Sequence, residues 1–96
     1  MQRLPNVHPG EVLLEEFLKP MGISQNALAR AMKVPPRRVN EIVLGKRGVT
    51  ADTAARLAAA LGTSERFWLG LQSDYELEEV HRLHGDALAN VEPIRA

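Results

Sequence analysis

Cysteine is absent from the 96 residues. That excludes disulfides and thiolate metal sites, and it fits a reducing compartment such as the cytoplasm. Aromatic side chains are scarce, with Phe17, Phe67, Trp68 and Tyr75 making up the whole set. Net charge is missing as well, because twelve Lys and Arg balance twelve Asp and Glu. Whole-chain electrostatics therefore offers no pull toward nucleic acid or anionic lipid. No apolar run approaches the ~20 residues of a membrane span, and the opening MQRLPNVHPGE lacks the apolar stretch of a signal peptide. The expected location is cytoplasmic, with no membrane contact.

Alanine and leucine are abundant, and both favour helix. The length suits one domain over residues 1–96, small enough to bury only roughly 60–65 % of its unfolded surface, so subunit pairing would help it. Charge is distributed unevenly. Residues 33–48 hold five cations (Lys33, Arg37, Arg38, Lys46, Arg47) against Glu41, a net of +4, whereas residues 64–92 hold seven acids against Arg66 and Arg82, a net of −5. A basic centre followed by an acidic tail fits two surfaces with different partners, and fits equally two ordinary solvated faces.

Punctuation divides the chain into short helices. The first is expected to start at Pro9, a favoured first-turn residue, with Glu11 suiting the positive end of the helix dipole. It carries the apolar stripe Leu13, Leu14, Phe17 and Leu18, and Pro20 with Gly22 should stop it. The second starts at Ser24, an N-cap, with Ile23 and Leu28 as a hydrophobic staple. Its expected inward residues are Ala27, Leu28, Ala31 and Met32, and it ends near Lys33 because Val34 precedes a proline. The third begins at Pro36, buries Val39, Ile42 and Val43, and ends at Gly45. The fourth runs from Thr50 to Gly62 with Ala54, Leu57, Ala58 and Leu61 inward. The fifth starts at Ser64 and carries Phe67, Trp68 and Leu71. Beyond it the pattern permits either a break at a Ser73/Glu76 capping box or a continuous helix to about Leu83, with Gly85 and Pro93 pointing to a frayed tail. The architecture expected is all-α, a bundle of five or six helices.

The second and third helices, joined by a tight turn at Val34–Pro35, have the form of a helix-turn-helix over Ser24 to Leu44. In that unit the second helix enters the major groove and reads bases from its N-terminal residues. With Val39 set at 0° and 100° per residue, Ile42 and Val43 lie within about 60° of it, while Arg37, Glu41 and Leu44 lie at about 140–200°, flanked by Arg38 and Asn40. Arginine pairs bidentately with guanine and asparagine with adenine, and glutamate accepts from the cytosine amino group. Lys46 and Arg47, just past the helix, are placed for phosphates, as is Gln25 at the start of the second helix. The plainer alternative is that Arg37 and Glu41 pair across an exposed face, four residues apart, in a helical hairpin that binds no DNA.

Nothing else in the chain carries chemistry as well. His81 and His84 are spaced for a metal pair, but no third ligand is convincingly placed. His8 precedes Pro9 and suits a cap. Ser24, Ser64 and Ser73 stand at helix starts, and Glu15 and Glu16 diverge by about 100°. No nucleophile has a base and an orienter, and there is no Gly-rich phosphate loop. The expectation is a non-enzyme with no cofactor and no metal. Phe67 and Trp68 read as anchors of a core or an interface. The acidic stretch 74–79 reads as a solvated face that could also meet a basic partner.

The pieces HPGEVLLEEFL at 8–18, GKRGVTADTAARLAAALGTS at 45–64 and FWLGLQSDYEL at 67–77 resemble the XRE/lambda-repressor-like helix-turn-helix family. More narrowly, they resemble its HigA-type antitoxins, the plasmid-maintenance antidote or VapI group. The resemblance covers about residues 7–80, and HPGE together with FWLGLQ is its most specific part. It implies a lambda-repressor-like fold and a homodimer that neutralises a RelE-like, mRNA-cleaving HigB toxin and represses its own operon. By position, Pro36, Arg37, Arg38, Asn40 and Glu41 match the base-reading surface, and Gln25, Lys46 and Arg47 match the phosphate contacts. One departure is Pro35, where such proteins often carry a Ser or Thr whose hydroxyl could cap the helix or meet a phosphate. Pairing of subunits is expected through the C-terminal segment, about 65–84, using Phe67, Trp68, Leu71 and Tyr75. A stand-alone repressor without a toxin, and a protein–protein adaptor whose helix-turn-helix is only a scaffold, are the alternatives.

Overall fold

The computed structural model describes residues 6–94. Five helical rods follow one another and no strand occurs among the described residues. The first rod, α1 (residues 9–21), is α-helical over Pro9–Val12, π-helical over Leu13–Leu18 and α-helical again over Lys19–Met21. Then come α2 (Gln25–Met32), α3 (Pro36–Val43), α4 (Ala51–Leu61) and α5 (Glu65–Ala89).

The expectation that Pro20 stops α1 is wrong, because Pro20 lies inside the rod. A proline lacks the N–H of an α-helical turn and crowds the carbonyl four residues back. The wide turn before it removes that conflict, since the backbone N–H of Lys19 already reaches back five residues to the Leu14 carbonyl. The rod ends at Gly22, where the Ile23 N–H closes on the Leu18 carbonyl at 3.0 Å.

The caps fall where the residue types put them. Ser24, Thr50 and Ser64 accept from the backbone N–H groups of Ala27, Thr53 and Phe67, and so start α2, α4 and α5. Lys33 ends α2 in the left-handed region at φ 60°. That conformation is uncommon outside glycine, and the proline rule for Val34 does not anticipate it. In α2 the inward set is Leu28, Ala29 and Met32, while Ala31 is exposed. Ala29 replaces Ala31 because α2 is covered on that side by α4.

One core serves all five rods. Leu13 and Leu18 from α1, Leu28 and Met32 from α2, Val39 and Ile42 from α3, and Ala54 and Leu57 from α4 meet Trp68 of α5. Trp68 is fully buried, its ring centroid 5.2 Å from Phe17 and 5.0 Å from Phe67. Its indole N–H donates to Thr63 Oγ1 at 2.7 Å, so burial leaves no polar group unmet. α1 crosses α3 closely at Gly10, where a Cβ would stand 1.8 Å from the Ile42 carbonyl oxygen. Only a residue without a side chain fits there.

α5 is unbroken at Ser73 and continues to Ala89 across a kink at His84, with no tail frayed from Gly85. The sole irregularity within it is His84, at φ −126° and ψ 20°. None of the described residues after Gln72 is buried. α5 is long enough to span a membrane but too polar, and no helix among the described residues is both long and apolar enough to cross one.

Candidate nucleic-acid interface

The turn between α2 and α3 is short, and its geometry is set by two residues. Lys33 turns the chain back, and Pro35, extended at ψ 144°, leads into Pro36 at the first helical position. Pro35 supplies no side-chain hydrogen bond to the start of α3. With Val39 and Ile42 in the core, the opposite face of α3 turns outward. Arg37 is exposed there, and Pro36 is exposed at the start of the helix.

Glu41 sits between two arginines. Its Oε1 lies 3.5 Å from Arg37 Nε and 3.0 Å from Arg47 Nη2. The pairing of Arg37 with Glu41 across the helix is therefore present, but it does not occupy Arg37, whose side chain is 84 % exposed. An exposed pair of this kind contributes little to stability and is readily exchanged for another anion. Glu41 is better described as the residue that holds Arg37 and Arg47 side by side than as a free acceptor.

Asn40 donates from Nδ2 to Gln25 Oε1 at 2.6 Å, which ties the reading helix to the first turn of α2. Arg38 turns away from this surface. Its side chain is largely covered and its Nη1 donates to Asp52 Oδ2 at 3.0 Å, at the start of α4. Arg56 joins the same carboxylate at 3.0 Å and also donates to the Met32 carbonyl. Arg38 is thus a strut between α3, α4 and the end of α2. Sequence reasoning placed it on the rim of the reading face because that reasoning sees one helix at a time and α4 is not on the wheel.

Past α3 the chain is fixed at both ends of a short loop. Gly45 takes φ 74°, and the Lys46 N–H returns to the Glu41 carbonyl at 2.8 Å. Lys46 and Arg47 are exposed at its tip. The loop then dives inward at Val49. The HPGE opening lies behind this corner. His8 Nδ1 accepts from the Gly10 N–H at 2.9 Å and so caps α1, while its ring meets Tyr75 edge-on at 4.8 Å. Partial burial pulls the His8 pKa below its ordinary 6.5, against a smaller opposing effect of Glu11.

Of the residues expected to meet DNA, the structure pairs Gln25 with Asn40 and joins Arg37 and Arg47 through Glu41, with Lys46 exposed beside Arg47. A helix-turn-helix family model matches residues 14–68, more than half of the chain. Virulence-associated protein I of Dichelobacter nodosus is 53 % identical over 75 residues, which cover 78 % of this chain and 69 % of that protein. Antitoxin HigA-1 of Vibrio cholerae is 42 % identical over 89 residues, 92 % of this chain and 83 % of that protein. The chain belongs to the HigA-type antitoxin branch of the XRE-like helix-turn-helix family. Among solved structures, Pseudomonas aeruginosa antitoxin HigA with the higBA promoter superposes at a TM-score of 0.89 with 43 % identity, over 95 % of this chain and 100 % of that one. The lambda-repressor-like all-α architecture follows from the same likeness.

The structure places the four residues expected for pairing, Phe67, Trp68, Leu71 and Tyr75, in different surroundings. Trp68 is wholly enclosed by its own subunit, so it has no area to offer a partner. Tyr75 is half-buried against His8, and Leu71 is half-buried against the core. Phe67 remains partly exposed. Further along α5, Leu77, Val80 and Leu83 are exposed. They lie within the segment 65–84 expected for pairing but are not singled out there, because the sequence alone does not tell which apolar side chains remain outside once the core is closed. Among the described residues no three His, Cys, Asp or Glu side chains gather to hold a metal.

Proposed function

We propose that this protein is a homodimeric, sequence-specific DNA-binding antitoxin that represses its own operon and neutralises a RelE-like, mRNA-cleaving toxin of the HigB type. The observation that carries the DNA reading is that exposed Arg37 and half-buried Asn40 and Glu41 of α3 stand with exposed Lys46 and Arg47 of the following loop, Glu41 pairing with both arginines. This arrangement occurs in a chain that closely resembles an antitoxin solved with promoter DNA. Arg37 and Asn40 would read base edges, with Pro36 passing close to the groove wall. Lys46, Arg47 and Gln25 would meet phosphates and set the register. Glu41 would keep the two arginines from collapsing onto other carboxylates.

Pairing would use the distal half of α5. Leu77 and Val80 lie about 60° apart around the helix, and they are 58 % and 40 % exposed. Apolar surface of this kind on a monomer marks an association site. A two-fold pair would present its α3 helices to half-sites roughly one helical turn apart, ~34 Å. The acidic face of the same helix would remain for a basic toxin.

The test is binding of the purified protein to the DNA upstream of its own gene and to random DNA at moderate salt. A preference of about a thousandfold or more is expected, and equal binding to both overturns the repressor reading. Co-expression with the product of an adjacent small basic reading frame should restore growth and yield a co-purifying complex. Failure of that arm with DNA binding intact would leave a stand-alone repressor. Co-purification without DNA affinity would leave an adaptor.

A further inference from the structure

Two polar side chains among the described residues are buried, Thr53 and Gln72. Thr53 belongs to the cap of α4, where its N–H meets Thr50. Gln72 has no such local purpose. It lies on α5 one turn beyond Trp68, and it points at the loop that follows the reading helix. Its Oε1 accepts from the backbone N–H of Val49 at 2.7 Å, and its Nε2 donates to Glu76 Oε1 at 3.1 Å. The first of these bonds is buried and joins residues 23 apart. Buried, water-excluded hydrogen bonds hold geometry more firmly than exposed ones.

The neighbouring residue shows how tightly the loop is pressed on this amide. A Cβ on Gly48 would stand 2.8 Å from Gln72 Nε2 and 3.0 Å from its Cδ. The loop therefore has two anchors. At one end the Lys46 N–H bonds to the Glu41 carbonyl, and at the other Val49 bonds to Gln72. Lys46 and Arg47 lie between them and are exposed. Gln72 stands about 140° around α5 from Leu77, so one helix carries the loop anchor on one face and the apolar pairing stripe on another.

We propose that Gln72 is a positioning residue for DNA binding. From α5 it fixes where the loop presents Lys46 and Arg47 to the phosphates, and Gly48 is kept free of a side chain to admit it. The proposal rests on the DNA-binding reading above. It adds that the helix assigned to subunit pairing also sets the register of the phosphate contacts, through one buried amide.

The experiment measures affinity for the DNA upstream of the gene against salt concentration. The proteins are the wild type, Gln72→Met, Gly48→Ala, the pair Lys46→Ala/Arg47→Ala, and that pair combined with Gln72→Met. Gln72→Met keeps the shape and removes the acceptor for Val49. It should weaken binding about tenfold and flatten the salt slope by as much as about 1.8, the value for two phosphate contacts. On the background without Lys46 and Arg47 it should cost almost nothing, because coupled residues are non-additive. Gly48→Ala, which displaces the amide from the loop side, should act in the same direction and carries the test if Gln72→Met fails to fold. The charge-neutral exchange Gln72→Glu/Glu76→Gln keeps an acceptor for the Val49 N–H and rebuilds the bond between positions 72 and 76 with donor and acceptor swapped, and should recover the wild-type slope. A merely stabilising Gln72 would lower the melting temperature, leave the salt slope unchanged and add independently to the loss of Lys46 and Arg47. That result overturns the proposal while leaving DNA binding intact. Wild-type protein with no preference for its own upstream DNA would overturn both readings.

Discussion

The two halves of α5 have similar composition but meet different fates. The proximal half places Trp68 and Gln72 in the interior, against α1, α4 and the loop after α3. The distal half, from Leu77 onward, has no buried residue, although Leu77, Val80, Leu83 and Leu88 are as apolar as anything inside. The first half closes the core, and the second carries surplus apolar surface beyond it. The same hydrophobic effect acts on both, and only the presence of neighbouring rods separates them. Exposed apolar surface of this kind on a small helical domain is the ground for the pairing proposed above.

The largest effect should come from the proximal half. Trp68→Ala removes the centre of the aromatic cluster and leaves the Thr63 hydroxyl unpaired, and should cost about 3–5 kcal/mol, seen as a large fall in the denaturant midpoint. In a domain of this size such a loss threatens folding altogether. The distal half should respond in the opposite way. Leu77→Asp with Val80→Asp should leave the helical circular dichroism intact while sedimentation shows a monomer, and operator binding should fall with it. If that variant unfolds instead, the distal stripe belongs to the fold and the contrast between the halves is lost.

Smaller effects fall on the reading edge. Arg37→Ala should cost about 1–3 kcal/mol of operator affinity and relax discrimination at one base pair. Arg38→Ala should instead lower thermal stability, because Arg38 braces α4 through Asp52. A specific loss of base discrimination there would restore Arg38 to the reading face. Lys46→Ala should weaken binding to all sequences alike and reduce the salt slope by about 1.

The smallest effect is a pH dependence at the HPGE corner. Burial lowers the His8 pKa below the ordinary 6.5 in the folded state, partly offset by the Glu11 charge, and the bond in which Nδ1 accepts the Gly10 N–H is one that only the neutral ring makes. As pH falls from 6.5 toward the lower folded value, the unfolded chain takes up a proton that the folded chain resists. Stability should therefore be fully present above 6.5 and decline below it. His8→Asn keeps a capping side chain without this titration. Urea melts between pH 8 and pH 5.5 should show a smaller decline for that variant than for the wild type.

Much of this architecture is written in single residues. Ser24, Thr50 and Ser64 mark helix starts through hydroxyls that need only the next turn, and Gly45 and Gly62 mark ends through a conformation that other residues resist. The outward face of α3 follows from 100° per residue alone. What stayed hidden needed a second element. Pro20 reads as a stop until the π-turn before it is seen. Arg38 reads as a groove contact until α4 brings Asp52 within 3.0 Å. Gln72 carries no signal in its own stretch of chain, and its role as an acceptor exists only because Val49 arrives from 23 residues away.

The sequence by itself therefore determined where the helices start, the helix-turn-helix and the family, and it supplied the candidates for DNA contact. Caps, periodicity and local motifs act over a few residues, and their physics is complete within that span. Only the tertiary structure decided which of those residues remain available. It buried Trp68, diverted Arg38 to Asp52, set Glu41 between Arg37 and Arg47, and left the far end of α5 bare. Burial and long-range pairing depend on what packs against a side chain, and no window along the chain contains that information.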